Sequence, residues 1–236
     1  MGLLSFLGQN LGTIGATAAI HAWLSVEGTL LGAVVAIPFG LWSYRLPGVR
    51  KVAAAIAETI QTIPSLALLA ILMIWFGMGD TTLVVALFLY ALMPMLHNTV
   101  EGLLSVDPQY VDVAQGLGLS RAQVMWRVQV PLAAPIILTG LRVALVTSIG
   151  IATVGVFIGA QGLGSIIYQG MQVQSAPQIL AGALPAALMA IVIDGILGFF
   201  AGRLRRASGR RQEAAMASPL RGQRKEMVSL EERIQG

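Results

Sequence analysis

Long apolar runs alternate with short polar breaks along most of this 236-residue chain. A helix crosses roughly 30 Å of hydrocarbon with about 20 mostly apolar residues, because each residue adds 1.5 Å. Five segments meet this requirement, approximately residues 23–44, 53–76, 82–100, 136–158 and 179–201. The pattern therefore predicts an all-α integral membrane protein with about five transmembrane helices.

Composition supports a membrane protein. Hydrophobic residues make up 56% of the chain and charged residues only 11%, against roughly 25% charged in soluble domains. A soluble protein would need polar residues at regular spacing to cover its surface, and the long apolar windows lack them. The chain has no cysteine, which excludes disulfides and thiolate-bound metals.

Positive charge is concentrated in alternate breaks between the predicted spans. Basic residues follow the first and third spans, and residues 203–236 alone hold nine basic and four acidic residues. The breaks 77–81 and 159–178 contain no Lys or Arg. The positive-inside rule therefore predicts an N-terminus outside and a basic tail in the cytoplasm, next to lipid headgroups rather than nucleic acid.

This charge pattern suggests three parts. Residues 1–22 have no Lys or Arg, so they do not resemble a cleaved signal peptide. We expect them to form an extracytoplasmic segment, with an extra surface helix as the alternative. Residues 23–202 are expected to form the transmembrane domain, and residues 203–236 a solvated cytoplasmic tail.

The outer break 159–178 has four glycines, one proline and an apolar middle. This composition predicts irregular or partly re-entrant backbone, which at membrane depth must be buried in protein or line a cavity. By contrast, Gly28, Gly32, Ala36 and Gly40 recur every four residues within the first span. Small residues at that spacing predict close packing against another helix.

Three ionisable residues lie at a similar depth in different predicted spans. Glu58, Arg142 and Asp194 are each about six residues from the cytoplasmic end of their span, or roughly 9 Å inside the boundary. An unpaired charge in hydrocarbon is costly. We expect Arg142 to pair with Asp194, Glu58 or both, in a cluster that either fixes helix packing or lines a transport path.

Catalytic and nucleotide-binding patterns are not found. His21 and His97 have no Cys or carboxylate at metal-ligand spacing. Ser65 follows a proline but lies in no G-x-S-x-G elbow, so we expect it to cap or relieve a broken helix. The glycines of residues 116–120 lack the lysine of a phosphate-binding loop. We expect no metal, catalytic or nucleotide site in this chain.

The break 101–135 is cytoplasmic by the charge rule. Asp107 precedes Pro108 and Ser120 precedes the run RAQVMWRVQV, so each is expected to cap a short helix. Gly118 permits a sharp bend between the two helices. Together they predict a compact helical projection on the cytoplasmic face.

Two prolines are predicted to mark the end of this projection. Pro131 and Pro135 are expected to end the second short helix before the next span begins. A short helix with defined ends is a better lever than a floppy loop. Trp126 or Met125, in its middle, is expected to supply apolar surface for a protein partner, with anchoring at the lipid headgroups as the alternative for Trp126.

The same break resembles the cytoplasmic loop of ABC importer permeases, which has the pattern E-A-A, three residues, G, nine residues, I-x-L-P. The spacing is intact, but Asp replaces the Glu of the pattern, and Val replaces one Ala, the Ile and the Leu. The matching positions are Asp112, Val113, Ala114, Gly118, Val128, Val130 and Pro131. These replacements weaken the argument for a contact at Asp112 itself.

Three further runs are similar to permeases of the glycine betaine, carnitine and choline uptake systems, the osmoprotectant branch of binding-protein-dependent transport inner-membrane components. These are ETIQTIPSLALLA (58–70), VPLAAPIILTGLRVAL (130–145) and IGAQGLG (158–164). The similar region extends from about residue 20 to 202.

The resemblance implies a type I ABC importer permease of the bacterial inner membrane. Such a subunit forms the translocation path with a second permease copy, identical or related, and works with an extracytoplasmic substrate-binding protein. Separate ABC ATPase subunits use ATP and Mg, so this chain would bind no cofactor itself. Gly162 and Gly164 would lie in a gate or face the binding protein. The residues implied in ATPase coupling are Asp112, Ala114, Gly118, Ser120, Trp126 and Pro131.

Other functions stay open at this point. A permease for an amino acid such as methionine would share the loop pattern. A self-contained channel or secondary transporter is the alternative from another class, although no inverted repeat is evident. The sequence leaves open which substrate is carried, how transport is regulated and what the tail does.

Overall fold

The computed structural model describes the backbone of residues 2–235 and the side chains of residues 2–206. Throughout that part of the chain the regular structure is helical. Two irregular turns interrupt the α-helices, a π-helical turn at Met125–Gln129 and a 3₁₀ turn at Thr153–Ile158. The helices are α1 (Leu3–Ser43), α2 (Pro47–Thr62), α3 (Ser65–Phe76), α4 (Asp80–Leu104), α5 (Pro108–Gly116), α6 (Arg121–Val124), α7 (Val130–Ala152), α8 (Leu163–Gln172) and α9 (Ala176–Gln235).

Four helical segments of the described chain are long and apolar enough to cross a membrane. They are Leu3–Ser43, Asp80–Leu104, the continuous run Arg121–Ile158, and Ala176–Arg206. The bent pair α2 and α3 makes a fifth if it counts as one span. The expectation of an all-α protein with about five spans is therefore confirmed. The orientation of the termini stays a prediction.

The first helix is longer than the sequence pattern suggested. It begins at Leu3 and has 41 residues, or about 61 Å at 1.5 Å per residue. Its first half packs against α8 and α9, with Ile14 buried beside Leu163. Residues 3–22 are thus continuous with the first span rather than a separate segment. Two of their polar side chains bond to carbonyls one turn earlier, Asn10 Nδ2 to Phe6 O at 3.0 Å and Thr17 Oγ1 to Thr13 O at 2.7 Å.

The small-residue stripe of α1 packs against α4, as predicted. A Cβ on Gly28 would lie 2.5 Å from Leu87 Cβ, and one on Gly40 would lie 2.8 Å from Thr99 Cγ2. Only glycine lets the two backbones approach this closely.

The predicted second span is broken in the middle. Its halves, α2 and α3, meet at an angle of 100°. Tyr90 on α4 stabilises the break, since its Oη donates to Ile63 O at 2.5 Å and its own carbonyl accepts from Gln61 Nε2 at 3.2 Å. The expectation that Ser65 caps the broken helix is wrong, because α3 begins at Ser65 without a side-chain cap.

The expectation that Pro131 and Pro135 end a helix is also wrong. The chain stays helical from Arg121 to Ile158, over 38 residues or about 57 Å. Proline lacks an N–H and its ring crowds the carbonyl four residues earlier. Here the π-helical turn just before Pro131, in which Val130 N donates to Met125 O, widens the helix and relieves that crowding.

The outer break contains a regular helix, α8, where irregular backbone was predicted. Gly159 and Gly162 lie before it, with φ of +75° and +138°. Gly164 lies inside it, where a Cβ would come 2.0 Å from Thr153 O. The glycines thus serve a turn and a close contact, while Leu163 and Ile166 bury the helix against its neighbours.

Candidate functional site

The cytoplasmic projection predicted for residues 101–135 is built by two capped helix starts. Asp107 accepts a hydrogen bond from Gln109 N at 2.9 Å at the start of α5. Ser120 and Gln123 form a reciprocal capping box at the start of α6, with bonds of 3.3 and 2.8 Å. Both predicted caps are confirmed. They work because side-chain oxygens satisfy the N–H groups that the first turn of a helix leaves without partners.

The bend between α5 and α6 occurs at Gly118, as predicted. Its φ of +82° lies in the left-handed region that glycine adopts without steric cost. Leu119 N donates to Ala114 O at 3.1 Å across the bend. Ala114 is buried and anchors the projection. Pro131 lies on the span side of the π-helical turn, at the second residue of α7.

Three apolar side chains of the projection are exposed. Val113 is 63% exposed, Leu117 76% and Trp126 63%, and Asp112 is exposed beside them. Val113 and Leu117 are four residues apart and lie on one face of α5. We call the surface of Asp112, Val113, Leu117 and Trp126 the coupling surface. Exposed apolar clusters of this kind mark contact sites for partners.

Leu117 was missed in the sequence analysis because the loop pattern reserves no position for it. The spacing of four residues from Val113 was the available signal. Of the two candidates for the apolar contact at this turn, Met125 is partly buried against the core and Trp126 is exposed.

The base of the projection is tied to the end of α1 by a polar contact that sequence reasoning also missed. The Gln129 side chain is buried, and its Oε1 accepts from Tyr44 Oη at 2.9 Å and from Arg45 NH2 at 3.4 Å. Arg45 Nε also donates to Tyr44 Oη. These bonds hold the π-helical turn against α1.

Inside the predicted membrane region, Arg142 on α7 and Asp194 on α9 form a bidentate ion pair. Arg142 Nε lies 2.5 Å from Oδ1 of Asp194, and NH2 lies 2.6 Å from Oδ2. The two side chains remain 36% and 42% exposed. Gly198 makes room for the guanidinium, since a Cβ there would lie 3.0 Å from Arg142 NH1.

Glu58 does not join this pair. It is exposed on α2, and no ion pair involves it within residues 2–206. The equal-depth argument assumed a straight second span, whereas the 100° bend gives α2 a different direction. The structure thus brings together two of the three predicted residues.

His21 is fully buried in α1, and His97 is exposed far along α4. The ring Nε2 of His21 lies 3.0 Å from Ile149 O. No three His, Asp or Glu side chains come together as a metal site in the part of the chain that was described. The same histidine borders the outer glycines, because a Cβ on Gly162 would lie 2.8 Å from its Nδ1.

The turn around Gly162 lies beside a cavity of about 310 Å³ between α1 and the start of α8, lined in part by Thr17, Gln161 and Ser165. Gln161 N donates to Asp80 Oδ1 at 2.7 Å, which ties this turn to the start of α4. Gly162 therefore lies where three helices meet at the predicted outer face.

Comparison with known proteins gives a consistent result. The family described as "Binding-protein-dependent transport system inner membrane component" matches residues 28–209. The glycine betaine/carnitine/choline transport system permease protein OpuCD of Bacillus subtilis is 42% identical over 180 residues, covering 76% of this chain and 79% of that protein. The choline transport system permease protein OpuBD of the same organism is 37% identical over 198 residues, covering 84% and 88%.

Among solved structures, an inward-facing form of the MetNI methionine ABC transporter superposes with a TM-score of 0.70 at 20% identity, covering 85% of this chain and 98% of that one. A likeness at this identity shows the fold alone. The chain has the fold of type I ABC importer permeases.

Proposed function

Because this chain belongs to the family of binding-protein-dependent transport system inner membrane components, we propose that it carries glycine betaine, carnitine or choline across the bacterial inner membrane. It is a permease subunit of an ABC importer. The cargo assignment is supported by the relatives described above, which are permeases for these osmoprotectants. The observation that carries the mechanism is the exposed coupling surface at the end of an unbroken helical rod.

In the proposed mechanism, ATPase subunits bind the coupling surface. α6, the π-helical turn and α7 form one rod from Arg121 to Ile158. A displacement of its exposed end therefore tilts the whole rod instead of being absorbed in a loop. The hydrogen bond between Tyr44 and Gln129 places a contact with the end of α1 about eight residues, or roughly 12 Å, from the start of that rod.

The far end of the rod lies at the outer turn. The 3₁₀ turn Thr153–Ile158 follows α7 directly, and Gly164 packs against Thr153 O. A tilt of α7 therefore changes the position of α8 and of the turn at Gly162. Gly162 and Gly164 belong to a gate or to the surface that receives the binding protein in this proposal.

The proposal also names the partners. ATP and Mg²⁺ are used by separate ATPase subunits, a second permease copy completes the path, and an extracytoplasmic binding protein delivers cargo. A quaternary ammonium group is recognised best by a cage of aromatic rings. Since aromatic residues make up only 6% of this chain, we assign that selectivity to the binding protein.

Two alternatives are less well supported. The likeness to a methionine transporter rests on 20% identity and concerns fold only. A self-contained channel would have no use for an exposed apolar coupling surface on its cytoplasmic projection. The cargo proposal is therefore preferred.

The test is uptake into proteoliposomes that contain the permease, its co-purified ATPase and the binding protein. Labelled glycine betaine, carnitine, choline and methionine are compared with and without ATP inside the vesicles. We expect ATP-dependent uptake of at least one osmoprotectant, and none when the ATPase carries a substitution of its phosphate-binding lysine. Uptake that does not depend on ATP would contradict the transport mechanism. Uptake of methionine alone would contradict the proposed cargo.

A further inference from the structure

A cavity of about 690 Å³ lies between α7 and the last membrane-embedded turns of α9. Arg142 and Thr139 line it from α7, and Gly202 and Arg205 line it from α9. It is distinct from the coupling surface and from the outer turn. Neither the proposed transport cycle nor the ATPase contact uses it.

The cavity has an excess of positive charge. Asp194 occupies Nε and NH2 of Arg142, and NH1 lies against Gly198 with no acceptor among the described side chains. Arg205 also lines the cavity and forms no ion pair within residues 2–206. Because one carboxylate balances one of two guanidinium groups, the lining attracts an anion.

The rest of the lining is apolar. Leu132 and Ile136 on α7 and Ala201 on α9 contribute hydrocarbon surface. The apolar part of α9 ends in this region, at the basic residues that begin with Arg203. Such a change from apolar to basic side chains marks the headgroup level on the cytoplasmic side of a bilayer.

We propose that this cavity binds an anionic phospholipid such as phosphatidylglycerol. Arg205 and the free NH1 edge of Arg142 donate to the phosphate oxygens, and the apolar wall of Leu132, Ile136 and Ala201, on the cytoplasmic side of Arg142, contacts the glycerol carbons. Arginine forms directional, charge-assisted hydrogen bonds with phosphate. A free phosphate ion uses the same donors but gains nothing from the apolar wall, which favours the lipid.

This site rests on membrane embedding and not on the identity of the cargo. A bound lipid would fill the space between α7 and α9 beside their ion pair. It would thereby couple the composition of the bilayer to the packing of the rod that the ATPase moves.

The experiment measures lipid binding to the full-length chain, purified with its ATPase in detergent, by native mass spectrometry. Dioleoyl phosphatidylglycerol is compared with dioleoyl phosphatidylcholine. We expect preferential retention of phosphatidylglycerol, and Arg205→Gln to weaken it about five- to tenfold. Arg203→Gln is the matched control, because it removes the same charge from α9 while its guanidinium lies over the Phe199 ring, 4.8 Å from the centroid, outside the cavity lining.

A second pair of variants leaves the charge unchanged. A Cβ at Gly202 or at Gly195 meets no atom within 4 Å, but only Gly202 lines the cavity. We expect the side chain of Gly202→Leu to project into the cavity, obstruct the lipid and abolish the preference for phosphatidylglycerol, and Gly195→Leu to retain it.

Several results would overturn the proposal. Equal weakening by Arg203→Gln and Arg205→Gln would mean diffuse attraction to the basic end of α9. Full displacement of the lipid by millimolar inorganic phosphate would mean a free-phosphate site, and displacement by glycine betaine would mean a cargo site. Unchanged lipid binding in Gly202→Leu would place the lipid elsewhere.

Discussion

Gly162 lies directly against the imidazole ring of His21. A Cβ on Gly162 would come 2.8 Å from Nδ1 and 3.4 Å from Cβ of that histidine, and the glycine has a φ of +138°. His21 is fully buried, and its ring is held from the other side by Ile149 O at 3.0 Å. The outer turn can therefore close over α1 only while residue 162 has no side chain.

We predict that Gly162→Ala destabilises the protein by about 1–3 kcal/mol, because alanine adds strain at this φ and a clash with an immobile ring. The measurement is thermal unfolding of the detergent-solubilised protein. Gly150→Ala is the control, since a Cβ on Gly150 meets nothing within 4 Å. An unchanged melting temperature in Gly162→Ala would show that the contact with His21 is not tight.

The ion pair between Arg142 and Asp194 leads to a prediction of non-additivity. Removing one partner leaves an unpaired charge between α7 and α9, whereas removing both leaves none. Since both side chains are more than one-third exposed, we expect Arg142→Gln and Asp194→Asn each to lower the melting temperature, but by less than the loss of one partner of a fully buried pair would.

The double variant Arg142→Gln with Asp194→Asn is expected to be no less stable than the worse single variant. Thermal unfolding of the wild-type protein, the two single variants and the double variant completes this double-mutant cycle. Strictly additive losses would mean that the two groups do not interact in the folded protein. Uptake by the double variant then reports whether the pair has a role beyond packing.

The coupling surface predicts a loss of function without a loss of stability. Leu117 is 76% exposed, so Leu117→Ser should leave unfolding unchanged within about 0.5 kcal/mol. Its contact with the ATPase should weaken by about tenfold, the effect of losing an apolar anchor worth roughly 1.4 kcal/mol. Titration of the ATPase onto immobilised permease measures this. The control is Gln115→Ser, because Gln115 is also exposed on α5 but lies on the opposite face. Equal ATPase binding by the two variants would contradict the assignment of Leu117 to the coupling surface.

The bend at Gly118 predicts uncoupling. A Cβ on Gly118 meets no atom within 4 Å, so the cost of Gly118→Ala comes from its φ of +82° alone, about 1–2 kcal/mol. The bend should open and shift α5 relative to α6. We expect ATP hydrolysis to continue while uptake per ATP falls severalfold. Gly116→Ala, two residues earlier at the end of α5, is the control and should keep the wild-type uptake per ATP. A wild-type value of uptake per ATP in Gly118→Ala would show that the bend tolerates alanine.

Local chemistry made the caps at Asp107 and Ser120 predictable, because a cap and the N–H group that it binds are two or three residues apart. The glycine stripe of α1 was predictable for a similar reason, since four-residue spacing defines one helical face. Its partner helix, α4, could not be identified from that spacing.

Contacts between distant segments decided the remaining features. Pro131 should end a helix by its covalent structure, but the π-helical turn before it and the bond from Tyr44 to Gln129 keep the rod intact. Equal depth offered Arg142 two acidic partners, and the bend between α2 and α3 left only Asp194 in reach. The outer glycines predicted irregular or partly re-entrant backbone, and the contacts that require them, with His21 and Thr153, are seen in the folded chain.

The amino-acid sequence was enough to identify a helical membrane protein of the ABC importer permease type and to locate the caps of its projection. These properties depend on hydropathy, charge and spacing within about 20 residues, the scale over which a helix or a motif is defined. The continuity of the rod, the pairing of Arg142 with Asp194 and the position of the basic cavity between α7 and α9 became visible in the folded chain. Each of these depends on the direction in which a helix leaves a bend, and that direction is set by packing between residues far apart in the chain.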